Sequence, residues 1–105
     1  MSEFIVVMIT ASDAKEAVVI GKTLVKEKLA ACVNLTSQIQ SIFFWDGKIC
    51  EETEVLLLVK TCIHLLDAIK KRVKELHRYD VPEIIALPVI DGSEEYLSWV
   101  KRTIS

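Results

Sequence analysis

Two short stretches of this chain concentrate the side chains able to do chemistry. Glu51, Glu52 and Glu54 follow an Asp46-Gly47 pair, and His77, Arg78, Tyr79 and Glu83 crowd one loop further on. Carboxylates are hard oxygen donors and imidazole is a common metal ligand, so divalent-cation binding is the first chemistry these types suggest. Each residue also has a plainer use. Glu52 and Glu54 alternate onto one face of a strand, where charge keeps a hairpin arm solvated and discourages edge pairing. His77 at a helix end can bond backbone, or serve as a ligand or base. Trp45, beside the turn, suits cover of the hairpin tip as well as a subunit contact or a ligand wall. Lys60 ends an apolar strand, its stem on the core and its ammonium free to cap carbonyls or meet an anion. Tyr79, Pro82 and Glu83 form a stiff loop that frames the same cleft or simply turns the chain.

Other chemistries lack their parts. There is no GxxxxGK[ST], GxGxxG or GxSxG, and the three glycines, Gly21, Gly47 and Gly92, cannot build a phosphate loop. Val55 to Thr61 carries no aromatic residue of the kind an RNA-binding sheet presents, and a net charge of −2 offers no field for phosphate backbones. No nucleic acid is expected. Cys32, Cys50 and Cys62 are odd in number and lack CxxC spacing, which predicts reduced thiols and neither a disulfide frame nor a zinc knuckle. Met1 to Ser12 has no basic leader followed by an apolar stretch, and no run is apolar enough to span a bilayer, so the expectation is a cytoplasmic protein with no membrane partner.

The elements that must position these residues follow from periodicity. Phe4 to Thr10 reads as a strand covered on both faces. Asp13, or Ser12, caps a helix whose apolar spacing runs through Ala14, Ala17, Val18, Gly21, Leu24 and Val25 and stops near Leu29. From Cys32 the chain is β-rich to Trp45, and Asp46-Gly47 predicts a tight turn into a long hairpin. An unbroken ladder sets Trp45 opposite Lys48, Phe43 opposite Cys50, Leu35 opposite Leu58 and Val33 opposite Lys60. Val33, Leu35, Leu56 and Leu58 then share one face, and Val55, Leu57, Val59, Ile42 and Phe44 the other. Helices can cover only one of the two. Leu65, Leu66, Ile69, Val73 and Leu76 define a second helix, with Lys70, Lys71, Arg72 and Lys74 on its solvated side. Ile84 to Ile90 is a last strand in which Pro88 predicts an edge or a bulge, and Ser93 caps a terminal helix that turns Tyr96, Leu97 and Val100 inward.

Strand, helix, strand, strand, helix, strand is the α+β ferredoxin-like βαββαβ sandwich, an antiparallel sheet with a long hairpin between its second and third strands and here an added C-terminal helix. One domain over 1–105 is expected. A 51% hydrophobic composition is high for 105 residues, so part of the apolar surface should meet another copy.

Five segments carry a resemblance, in order and across nearly the whole chain: Lys28 to Asn34 (KLAACVN), Phe43 to Ile49 (FFWDGKI), Val59 to Thr61 (VKT), His77 to Ile85 (HRYDVPEII) and Tyr96 to Trp99 (YLSW). Together they resemble the CutA divalent-cation tolerance family. The resemblance implies a homotrimer with hairpins paired across subunits, a role in tolerance of copper and other divalent cations, and no enzymatic turnover. It points to a cleft between subunits lined by Trp45, Glu52, Lys60, Tyr79 and Glu83, with His77 as the metal-ligating candidate. No cofactor is required; a divalent cation such as copper is the ion implied. Some bacterial members offer a Cys and a His-His pair as copper ligands where this chain has Ile9, Leu76 and His77, keeping one soft donor of three. Two other readings stand beside this one: a small enzyme with His77 as general base, and a scaffold trimer for a partner protein.

Overall fold

The computed structural model describes residues 3–105. The elements run β1 (Phe4–Ala11), α1 (Ala14–Lys26), β2 (Cys32–Leu35), β3 (Ile39–Trp45), β4 (Lys48–Cys62), α2 (Leu66–Leu76), β5 (Ile84–Pro88) and α3 (Glu94–Thr103), with a 3-10 turn at Ile63–Leu65 leading into α2. The sheet order is β2-β4-β1-β5, with β3 continuing along β4 beyond β2, and every pairing is antiparallel. This is the expected α+β arrangement. Pro88 closes β5, which lies at the sheet edge, where a missing N–H costs no ladder bond.

Alternation decides which side chains are buried. Ile5, Val7, Ile9 and Ala11 of β1 and Val55, Leu57 and Val59 of β4 point to one face, where Ala17, Ile20 and Leu24 of α1 and Ile69 and Val73 of α2 seal them. α3 packs separately. Its Val100, with Ile104, meets Ala31 and Cys62, while Tyr96, expected inside, is 41% exposed and stacks on Trp99 at 5.6 Å between centroids. The opposite sheet face carries α3 at one end, over Phe4 and Cys62. It displays Val6, Met8, Leu56 and Leu58, half-buried, with Ile85 and Leu87 exposed beside them.

The hairpin departs from the expected register at one place. Trp45 pairs with Lys48 and Phe43 with Cys50 as predicted, but Leu35 pairs with Leu57 and Val33 with Val59, one residue away from an unbroken ladder. The cause is Thr36. Its N–H donates to the Leu56 carbonyl at 3.0 Å and its Oγ1 accepts from the Leu56 N–H at 3.0 Å, so one residue satisfies both groups and the chain slips. A one-residue slip exchanges faces. Val33 and Leu35 therefore turn toward α1, where they lie beside Gly21, instead of joining Leu56 and Leu58. Beyond the slip, β3 and the first half of β4 project past the body, so that the whole measures 44 × 26 × 24 Å with a radius of gyration of 14.2 Å, against about 13 Å for a round domain of this size.

The tip is a left-handed turn, with φ of 53° at Asp46 and 76° at Gly47, the pattern of a type I′ hairpin. Nothing lies within 4 Å of a Cβ built on Gly47, so its requirement is conformational. Gly47→Val should cost about 1–2 kcal/mol and Gly47→Asn less, because Asn tolerates this region. Urea unfolding of the two variants checks this; equal losses would mean the turn conformation is not the cause.

The loop after α2 is fastened by a carboxylate in α1. Glu16 is 6% exposed. Its Oε1 accepts from the Ser12 N–H at 2.8 Å and the Ser12 hydroxyl at 2.9 Å, and its Oε2 accepts from the Arg78 N–H at 2.7 Å. Asp13 caps the same helix through the Glu16 N–H at 2.8 Å and pairs with the Arg78 guanidinium at 3.1 Å. Burial alone would push the Glu16 carboxyl up; the donors from Ser12 and Arg78 outweigh it and hold the group below its ordinary value of 4.5. A depressed carboxyl stabilises the fold above its unfolded pKa, and that contribution is lost as pH falls through the folded value. Glu16→Gln turns an NH₂ donor toward donors and should cost about 1–3 kcal/mol at pH 7. The gap in melting temperature between the two proteins should narrow below pH 4.5, and a gap independent of pH would show that the charge contributes nothing.

Candidate functional site

One face of the projecting hairpin and the loop after α2 enclose a cleft of about 740 Å³. The hairpin face follows from the register past the slip: Ser41, Phe43 and Trp45 on β3 stand with Cys50, Glu52 and Glu54 on β4. Thr10, at the end of β1, is the floor. Tyr79, Asp80, Val81 and Glu83 make the other wall. Trp45, Glu52, Tyr79 and Glu83, four of the residues singled out in the sequence, are thus brought together by one chain.

Lys60 is not among them. It shares the strand face of Glu52 but stands eight positions further along β4, roughly 27 Å at about 3.4 Å per residue. There its ammonium donates to the Asn34 side chain, beside Cys32 across the ladder.

His77 lies behind the cleft wall with a fully buried side chain. Its Nε2 is 2.7 Å from the Thr10 carbonyl oxygen, which only accepts, so Nε2 carries the proton and donates. Its Nδ1 accepts from the Tyr79 N–H at 3.0 Å, with Glu16 Oε2 at 3.7 Å. Both ring nitrogens are thus committed. Such a ring has no lone pair left for a metal ion or for a substrate proton, and its visible work is to position Tyr79, whose ring lies 4.9 Å away between centroids.

Tyr79 carries that positioning into the cleft. Its hydroxyl donates to Glu54 Oε2 at 3.4 Å. Burial first, then the nearby carboxylates of Glu54 and Glu52, hold the phenol above its ordinary value, so it stays a donor. Glu54 itself is 7% exposed, which its alternation with Glu52 did not foretell. What buries it is the 79–83 loop, an element far away in sequence. Thr10, Ser41 and Asp80 were likewise not singled out, and no sequence signal marks them, because they line the cleft only through the slipped register and the folded loop.

The donor set can be tested against a divalent cation. Among the described residues, no three His, Cys, Asp or Glu side chains converge as a metal centre. Cys50 and Glu52 reach the cleft, yet a soft site for copper would need further nitrogen or sulfur donors that the chain does not bring there. The residues of a single copy therefore do not fit a metal ion. Among the described residues, no helix is long and apolar enough to cross a membrane.

Similarity to known proteins agrees with the fold. The family model described as CutA1 divalent ion tolerance protein matches residues 5–103. A curated relative, the divalent-cation tolerance protein CutA of Thermus thermophilus, is 50% identical over 97 residues, covering 92% of this chain and 94% of its own. Longer relatives match as well. The chain is 43% identical to the chloroplastic CutA 1 of Oryza sativa and 46% to the human CutA protein, but spans only 56% and 52% of their lengths. Among solved structures, the Thermus thermophilus protein superposes with a TM-score of 0.94 at 48% identity, over 95% of this chain and 97% of that one. CutA from Xylella fastidiosa gives 0.96 at 38% identity, over 99% and 100%. With the family model and a half-identical relative both spanning nearly all of it, the chain belongs to the CutA1 divalent ion tolerance family.

Proposed function

We propose that this chain serves divalent-cation tolerance as a homotrimeric, non-catalytic module that binds a small ligand in the hairpin cleft and signals its presence. The observation that carries the reading is the cleft itself. It brings carboxylates and aromatic rings together, and one of its walls, Tyr79 with Glu54, is held by the buried clasp of His77. The enzyme reading relied on His77 as base, and both nitrogens of that ring are engaged.

Assembly is supported by the part of that sheet face lying beyond α3, where Ile85 and Leu87 are exposed, and by the exposed hairpin, where Ile42, Phe44 and Ile49 are each about 70% exposed. Three copies around these sheet faces would bury both. Light scattering should give three times the 11.9 kDa chain mass at micromolar concentration; a mass of one chain would overturn the assembly.

The part played in metal tolerance is that of a responder, not a carrier that holds copper through His77. Calorimetric titration of His77→Ala with Cu(II) and Zn(II) should match wild type, while its melting temperature falls because two buried hydrogen bonds are lost, at about 1 kcal/mol or more each. A stoichiometric Cu(II) site present in wild type and missing in the variant would make His77 a ligand and defeat this assignment.

A further inference from the structure

One atom of the His77 ring faces two partners with opposite needs. Its Nδ1 accepts from the Tyr79 N–H at 3.0 Å, which requires a lone pair, while Glu16 Oε2 lies 3.7 Å from the same atom and can only receive a proton from it. Nε2 is the same in either case, donating to the Thr10 carbonyl at 2.7 Å. The side chains of His77 and Glu16 are 0% and 4% exposed, so the arrangement lies inside one chain and needs nothing from a neighbouring copy.

Charged and polar groups reach the ring from several elements. From α1 comes Glu16: against the push of burial, the donors from Ser12 and Arg78 hold its carboxyl below the ordinary value of 4.5, so it stays a carboxylate through the range in which imidazoles titrate. The Arg78 guanidinium is engaged by Asp13 at 3.1 Å and by the Ser12 hydroxyl at 3.3 Å. β1 contributes the Thr10 carbonyl, and β4 contributes Glu54, which is bonded to the Tyr79 hydroxyl.

We infer that His77 is a proton-operated latch on the cleft wall: when Nδ1 takes a proton from solvent, the ring exchanges the Tyr79 N–H for the Glu16 carboxylate, and the 77–83 loop is released. No other proton moves. A protonated Nδ1 sets its hydrogen against that of the Tyr79 N–H, donor against donor, and a buried donor without an acceptor is costly. Glu16 Oε2 has a second lone pair beside the one that accepts from the Arg78 N–H at 2.7 Å, so it can take Nδ1–H as well. The charged ring therefore stays paired and the protein stays folded. What gives way is Tyr79, which is part of the cleft wall and the hydrogen-bond partner of Glu54. The Tyr79 bond needs the neutral ring, so it is present at higher pH and lost as pH falls; the Glu16 pairing runs the other way. A ligand held at neutral pH is thus let go in mildly acidic surroundings. The latch rests on the cleft of the proposed module, but its test reads the loop and not the ligand, so a failed latch and an empty cleft are distinguishable.

Intact ¹⁵N-labelled protein is followed by NMR from about pH 8 to about pH 5. The chain has two histidines, and replacing the exposed one in His64→Gln leaves a single imidazole, that of His77. The Tyr79 amide resonance should move with the same midpoint as the His77 ring, and its hydrogen exchange should quicken on the acid side, while circular dichroism stays constant. Glu16→Gln should shift that midpoint to lower pH, because the carboxylate that stabilises the charged ring is gone. His77→Gln, whose amide can donate to Thr10 and accept from Tyr79 without titrating, should abolish the transition. In a Trp99→Phe background the emission of Trp45 should follow the same curve and lose it in His77→Gln, which carries the effect into the cleft. A His77 ring that titrates while the Tyr79 amide stays still would overturn the latch, as would no titration across the range or a Glu16→Gln midpoint unmoved or raised. Loss of Tyr79 protection only together with global unfolding would overturn it too. Should Glu16→Gln fold poorly, the ring and amide curves of His64→Gln decide alone.

Discussion

The buried carboxylate of Glu16 is the constraint on which the site depends. A charge so enclosed is tolerated only because donors surround it, and those donors come from two places, Ser12 before α1 and Arg78 after α2. The carboxylate therefore ties the start of one helix to the end of another across sixty-two positions of sequence. His77 is held in the same knot, bridging the Thr10 carbonyl to the Tyr79 N–H. From there the order passes to the cleft, since Tyr79 is one wall and Thr10 the floor. The residue that looked most like chemistry is a strut, and a carboxylate in the first turn of α1 is its anchor.

A second constraint is parity. On β4, even-numbered positions face away from α1 and α2 and odd-numbered ones toward them. β2 pairs with β4 so that its odd residues join the buried face, whereas β3 pairs so that its odd residues join the open one. Thr36 is where the two registers meet. Had the ladder run unbroken from Trp45, Val33 and Leu35 would have lain on the open face, and α1 would have lost the partners that fill the space beside Gly21. The slip lets one continuous β4 serve as core strand at one end and cleft wall at the other.

These two constraints explain what could be read in the sequence. The turn at Asp46-Gly47, the cap at Asp13, the edge at Pro88 and the stripe of α2 are local, each fixed by a few adjacent residues, and each stands as the spacing implied. The slip at Thr36 is not local, because it depends on which carbonyl Thr36 meets on β4, and a β-branched threonine in a β-rich run carries no mark of it. Tyr96 was expected inside from its spacing with Val100, yet α3 buries a narrower stripe against Phe4, Ala31 and Cys62, and the ring lies outside it. The family resemblance named Trp45, Glu52, Tyr79 and Glu83 together, and one copy brings these four to the same cleft while keeping Lys60 apart.

The separation of Lys60 from the acids has an electrostatic consequence. Two groups of opposite charge at opposite ends of β4, roughly 27 Å apart, lie well beyond the Debye length of about 8 Å at physiological salt and do not neutralise each other. The cleft of one copy is left with acids on both walls. The same strand end that keeps Lys60 away from its own acids leaves it on the face opposite α1 and α2, where a neighbouring copy would meet it.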